Sequence, residues 1–351
     1  MGPYSLSTDM QTLILQTPGE FTLLDTLPPP SLQPHEALVR VHRIGVCGTD
    51  LHAYRGRQPF FSYPRILGHE LGVEVVALGG PTDRVQVGDR CAVEPYLNCG
   101  HCIACRRGKS NCCATLHVLG VHADGGMCEL LTVPIHKLHV STQLTFEQLA
   151  LVETLAIGAH AVERANPQPD DTVLIIGAGP IGLAVLESIR PLGCTVVVAD
   201  REEKRVAFVR HQFANSTALQ AGDALLDQFH QVFNDNLPTV VFDATGNPAS
   251  MNQAIDYVAP GGVLVYVGLF QGNLTFSDPL FHRKEITLLS SRNALPATFR
   301  HLIDRIERGD INTAPWITHR VALVDVPLEF PHWLDPANGV IKAMIEIDNA
   351  S

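Results

Sequence analysis

What the chain lacks narrows its role before any motif is read. No uninterrupted apolar stretch approaches the roughly 20 residues that a bilayer-spanning helix needs, so no membrane span is expected. Basic residues are few: 25 Lys and Arg stand against 36 Asp and Glu, a formal charge of −11, with no Lys/Arg cluster. Such a chain is a poor partner for nucleic acid or an anionic membrane. The first residues, Met-Gly-Pro-Tyr-Ser-Leu-Ser-Thr-Asp-Met, carry neither the basic nor the apolar region of an export signal. A cytoplasmic location is therefore expected, with Met10 an alternative start and residues 1–9 a loose tail. Internal repeats and low-complexity segments are absent. Aromatics reach only 6%, yet with ample β-branched residues they exclude a disordered or fibrous chain. At 351 residues and 46% hydrophobic, two domains are the expectation.

Cysteine is the exception to this scarcity. Of nine, Cys99, Cys102, Cys105, Cys112 and Cys113 crowd into fifteen residues, while Cys47, Cys91, Cys128 and Cys194 stand apart. A secreted disulfide scaffold would be shorter and would carry a signal peptide. Clustered thiols in a reducing compartment point to metal instead.

Residues 11–46 and 68–94 alternate apolar and polar positions between Gly and Pro turns, as in Ala37-Leu38-Val39-Arg40-Val41. This texture predicts an antiparallel β-barrel of the Greek-key kind. From about residue 146 helical periodicity runs to Arg164, followed by a Pro-rich hinge at 166–170. Thr172–Ile176 is then apolar without alternation, as a strand buried on both faces should be. Helix (181–191), strand (195–199), helix (202–213), strand (239–243), helix (near 249–258) and strands at 263–267 and 286–290 complete a doubly wound parallel sheet. Residues 296–308 read as helix, and the tail returns to β patterning and to the first domain.

Three constellations carry chemistry. Gly177-Ala178-Gly179-Pro180-Ile181-Gly182 directly follows a buried strand and opens a helix, with Asp200 ending the next strand. Glycine-rich turns also occur for packing alone, but this context fits a dinucleotide whose pyrophosphate rests on the helix N-terminus. Asp200 would accept from the ribose 2′-hydroxyl and repel a 2′-phosphate, favouring NAD, although Arg201 adjoins it. Cys99, Cys102 and Cys105, with Cys112 or Cys113 fourth, suit a closed tetrahedral structural zinc. Cys47 with His69 and Glu70 suits a catalytic zinc, which keeps one exchangeable position. Taken singly, each of these three residues would be read as structural.

With four motifs in sequence order, the box around Cys47, Gly68-His69-Glu70, the four-cysteine lobe and the glycine turn at 177–182, the chain resembles the zinc-dependent medium-chain dehydrogenases, the alcohol, sorbitol and threonine dehydrogenase superfamily. The resemblance covers nearly everything after residue 10. Within the superfamily it is most similar to bacterial L-galactonate 5-dehydrogenases and their sugar-acid relatives, through residues 58–70, 118–126, 243–247, 276–279 and 291–294. It implies a GroES-like catalytic domain (1–157 and 293–351) around a Rossmann NAD-binding domain (158–292), and assembly as a homodimer or homotetramer. It assigns Cys47, His69, Glu70 and Glu153 to the catalytic zinc, and Cys99, Cys102, Cys105 and Cys113 to the structural one, leaving Cys112 spare. Thr49 and His52 take the proton relay. Gly177, Gly179, Pro180, Ile181, Gly182, Asp200, Arg205, Val267 and Leu269 take the cofactor. One departure stands out: the family reads Glu-Pro where this chain has Glu153-Thr154.

The implied reaction is hydride transfer between NAD and a secondary hydroxyl of a sugar acid, L-galactonate or L-gulonate at C5. Its alternatives are a polyol (galactitol or sorbitol) dehydrogenase, an L-threonine dehydrogenase, and a non-catalytic nucleotide-sensing protein. The intact zinc ligands argue against a zinc-less quinone reductase. An acidic chain needs a local cation for an acidic substrate. Arg292, with Asn293 beside it, is the choice: it follows the last strand of the nucleotide domain, the resemblance to polyol dehydrogenases implies an arginine there that reaches the substrate, and its planar fork can grip a carboxylate bidentately. Arg65 and Arg55 are the rivals, and an ion pair between domains is the structural alternative.

Overall fold

The period-two alternation around residue 40 becomes a ten-residue strand, Glu36–Gly45, at the centre of a seven-stranded sheet. The computed structural model describes residues 9–29, 31–58, 61–222 and 225–347. Two units partition the chain: Met1–Thr154 with Leu295–Ser351, and Leu155–Ala294. The first division falls inside a single helix, Phe146–Ala165, whose apolar pattern continues across it.

In the first unit the sheet runs in the order Ile317–Ala322, Lys342–Glu346, Glu36–Gly45, Glu70–Leu78, Arg90–Val93, Leu138–Val140, and Leu130–Pro134 also pairs with Glu36–Gly45. The expectation of an antiparallel sheet holds except at one edge. Ile317–Ala322 and Lys342–Glu346 pair in parallel, because a helical crossover, Val326–Glu329 with its flanking 3-10 turns, separates them. The inward residues Leu13, Val39, Val41, Val73, Val93, Phe330 and Ile345 share one core. Burying a side chain of this size contributes roughly 1.5–3 kcal/mol.

The second unit holds a six-stranded parallel sheet ordered Thr217–Gln220, Thr195–Asp200, Thr172–Ile176, Val240–Asp243, Val263–Tyr266, Thr287–Ser290. Its order reverses between Thr172–Ile176 and Val240–Asp243, the switch point at which such sheets bind ligands. Elements that escaped the sequence reading include the edge strand Thr217–Gln220 and the helices Leu225–Val232 and Asp278–Lys284. The strand has four residues of which only Ala218 is buried, so neither alternation nor an apolar run marks it.

Candidate metal and dinucleotide sites

Three remote stretches of the first unit meet at the end of its central strand. Gly45 pairs with Glu70, and Val46 donates its N–H to Ala343 O at 2.9 Å. The chain then turns into the helix Gly48–Tyr54, capped by Cys47, whose N–H donates to Asp50 Oδ2 at 2.9 Å. Donor atoms of Cys47, His69 and Glu70 all lie within 4.8 Å of one another. Gly45 is required here: a Cβ on it would lie 2.0 Å from Glu70 Oε2. The Lys342 ammonium donates to both Glu70 oxygens, at 2.8 and 2.7 Å, and to Val46 O and Thr154 Oγ1, each at 3.2 Å. All of Glu70, Thr154 and Lys342 are buried.

His69 Nδ1 faces Asp50 Oδ1 at 3.7 Å, and neither buried atom has a hydrogen-bond partner. Burial opposes protonation of His69, but Asp50, Cys47 and Glu153 together hold its pKa well above the usual histidine value. A thiol and two carboxyl groups thus surround one imidazole, and the thiol, imidazole and carboxylate donors of the cluster fit zinc. Glu153 is not brought into the cluster. Its Oε1 accepts the Tyr96 hydroxyl at 2.5 Å, and burial pushes its carboxyl up to about 6, against the opposing pull of His69. Thr49 and His52 stand three residues apart on the capping helix and so share a face. Thr49 is half-buried and His52 exposed.

The sulfurs of Cys99, Cys102, Cys105 and Cys113 form a second group within 4.8 Å, and exposed Cys112 is not part of it. N–H groups converge on them: Cys102 on Cys99, Cys99 on Cys113, Ala114 on Cys102. The N–H groups of His101 and Cys102 bring the Cys99 thiol down to about 6. Asn98 Nδ2 donates to Cys105 Sγ at 3.7 Å, while its carbonyl accepts the buried Lys137 ammonium at 2.8 Å. Four convergent thiols with donors already aimed at sulfur fit a closed zinc site.

In the second unit, Gly177 takes a left-handed φ of 100°, and a Cβ on Gly182 would lie 1.7 Å from Gly177 O. Gly182 therefore serves close helix–strand packing, while Gly179 caps the helix Pro180–Ile189, with Pro180 and Ile181 in its first turn. Asp200 is buried, and its oxygens accept from Ala178 N at 2.6 Å and Glu202 N at 2.9 Å. Arg205 lies 3.7 Å from the same carboxylate. Val267 and Leu269 follow the strand Val263–Tyr266 on the carboxyl-end side of the sheet. Arg292 is exposed and Asn293 adopts φ 53° just after the last strand. Arg292 and Asn293 have partners within the protein, as do Arg65, bonded to Asp124 and Ser62, and Arg55, bonded to Leu334 O.

Residues 33–142 match the alcohol dehydrogenase GroES-like domain and residues 180–308 the zinc-binding dehydrogenase domain. L-galactonate-5-dehydrogenase of Escherichia coli K12 is 41% identical over 89% of this chain and 91% of its own length. D-altritol 5-dehydrogenase of Agrobacterium fabrum is 32% identical over 87% and 90%. A crystal structure of an alcohol dehydrogenase from E. coli CFT073, complexed with NADH, superposes with a TM-score of 0.89 at 29% identity, covering 97% of this chain and all of the other. The chain belongs to the zinc-binding alcohol dehydrogenase family.

The protein is thus a dehydrogenase with GroES-like and Rossmann-type domains. Its metal pocket contains residues that the sequence reading passed over. Asp50 had a signal, an acidic residue in the first helical turn after Cys47. Lys342 had another, a lysine in the apolar run Ile341-Lys-Ala-Met-Ile. Tyr96 had none. In this dehydrogenase Lys342→Met leaves the Glu70 carboxylate buried without its cation, and urea unfolding should show a loss of about 3–5 kcal/mol. Lys342→Met with Glu70→Gln should recover most of it. An additive double variant would contradict the pairing.

Proposed function

We propose that the protein oxidises a secondary hydroxyl of a sugar acid, a hexonate such as L-galactonate at C5, with NAD as hydride acceptor. The carrying observation is the Cys47–His69–Glu70 cluster beside the Thr49–His52 helix face. The 41% identity to L-galactonate-5-dehydrogenase supports the substrate class, and a 5-dehydrogenase of a polyol supports the position of attack.

Zinc, when bound by Cys47, His69 and Glu70, supplies Lewis acidity that lowers the pKa of an alcohol. The protein's own residues do the rest. Thr49 would relay the hydroxyl proton, accepting it as its own hydroxyl proton passes on, and His52 would accept the relayed proton and release it to solvent. Partial desolvation of the ring together with Arg55 and Arg57 lowers the His52 pKa, so its imidazole is neutral and ready to accept near pH 7. Lys342 holds the Glu70 carboxylate in place through both of its oxygens. The Asp200 carboxylate, fixed by two backbone N–H groups, accepts the adenosine ribose hydroxyl and repels a 2′-phosphate.

Asp200→Ser should raise KM for NAD+ and shift the kcat/KM ratio toward NADP+ by tenfold or more, on the order of 1.4 kcal/mol. A native enzyme already preferring NADP+ would mean that Arg201 or Arg205 governs the pocket. For the substrate, Arg292 is assigned the carboxylate. NADH formation with a hexonate and with the matching hexitol tests this. Arg292→Met should cost about 2 kcal/mol in kcat/KM on the acid and little on the hexitol. Equal losses on both would remove Arg292 from carboxylate recognition, and a wild-type preference for hexitols would make the protein a polyol dehydrogenase.

A further inference from the structure

The two glutamates that face His69 are restrained by different means. Glu70 carries a full cation, since Lys342 donates to both its oxygens. Glu153 takes a phenol, the Tyr96 hydroxyl, at 2.5 Å. Tyr96 is only 2% exposed, and a buried phenol needs a polar partner. Its freedom to swing is small. Its backbone pairs with Val118 in the ribbon Tyr96–Leu97/His117–Val118, and its ring meets the Phe299 ring edge-on, with centroids 6.1 Å apart. Glu153 in turn projects from the middle of the helix Phe146–Ala165, so its carboxylate moves only by side-chain rotation. The Cys47–His69–Glu70 group includes one of these carboxylates and not the other.

A carboxylate is a competent zinc ligand, and a catalytic zinc must keep a position free for substrate. A fourth protein ligand would close the site as four cysteines close a structural one. We propose that Tyr96 is a positioning residue: its hydroxyl holds the Glu153 carboxylate off the Cys47–His69–Glu70 cluster, so that Glu153 is not a metal ligand at rest. This rests on the reading that the cluster binds the catalytic zinc.

The test uses the full-length zinc enzyme and its cobalt-substituted form. Tyr96→Phe frees Glu153 to reach the metal. Release of the catalytic-site zinc to a chelator should slow by about tenfold or more, the scale on which residues beside metal ligands act, while kcat falls. The cobalt d–d bands should change as an oxygen ligand is gained. Adding Glu153→Gln to Tyr96→Phe should return release rate and spectrum toward wild type. Unchanged or faster release in Tyr96→Phe, with an unaltered cobalt spectrum, overturns the proposal. Glu153→Gln alone decides the matter even if Tyr96→Phe does not fold. The cobalt spectrum should then match wild type, whereas a spectrum that loses an oxygen ligand would make Glu153 a resting ligand and overturn the proposal. The underlying metal-site reading fails separately, if His69→Ala retains the full zinc content.

Discussion

A lysine ammonium buried against a glutamate anchors the metal pocket. Removing two charges from water is costly, and an apolar pair of similar volume would often serve stability as well or better. The Lys342–Glu70 pair is better understood as a positioning device. It fixes a carboxylate, through both oxygens, beside Cys47 and His69. Other local choices follow from it. Position 45 must lack a side chain, because Glu70 Oε2 fills that space. Thr154, where the family reads proline, offers a hydroxyl that takes one of the ammonium protons. The strand Lys342–Glu346 must return to the first unit, because it delivers the cation.

The second unit holds a buried carboxylate by other means. Backbone N–H groups of Ala178 and Glu202 engage the two oxygens of Asp200, with Arg205 nearby but at 3.7 Å. The Ala178 bond ties the end of one strand to the glycine turn after its neighbour. Asp200 therefore shapes the turn, and its replacement should affect the rigidity of the turn along with the cofactor choice proposed for it.

Ligand chemistry made much of this legible in the sequence. Thiols that share a metal must lie a few residues apart in one lobe, and a turn that receives a pyrophosphate needs glycines at fixed spacing. What the positioning residues bind was not legible, because no local pattern ties them to their partners. Lys342 lies 272 residues from Glu70 and 188 from Thr154, and Tyr96 lies 57 from Glu153. The sequence reading put Glu153 among the metal ligands, and the Tyr96 hydrogen bond shows another use for its oxygen. Among secondary elements, the helix Phe146–Ala165 was readable from its period, whereas Thr217–Gln220 was too short and too exposed to announce itself.

The central claim is that two chemically distinct zinc environments exist in one chain, one of four thiolates and one of mixed sulfur, nitrogen and oxygen donors. Zinc K-edge absorption on freshly purified, active protein, combined with metal analysis, tests it most directly. The account predicts two zincs per chain. Of their sulfur contacts, at about 2.3 Å, Cys102→Ser should remove those of one zinc together with folding stability. His69→Ala should remove the other zinc and leave the fold standing. A single zinc per chain in active enzyme, bound by sulfur alone, would contradict the account.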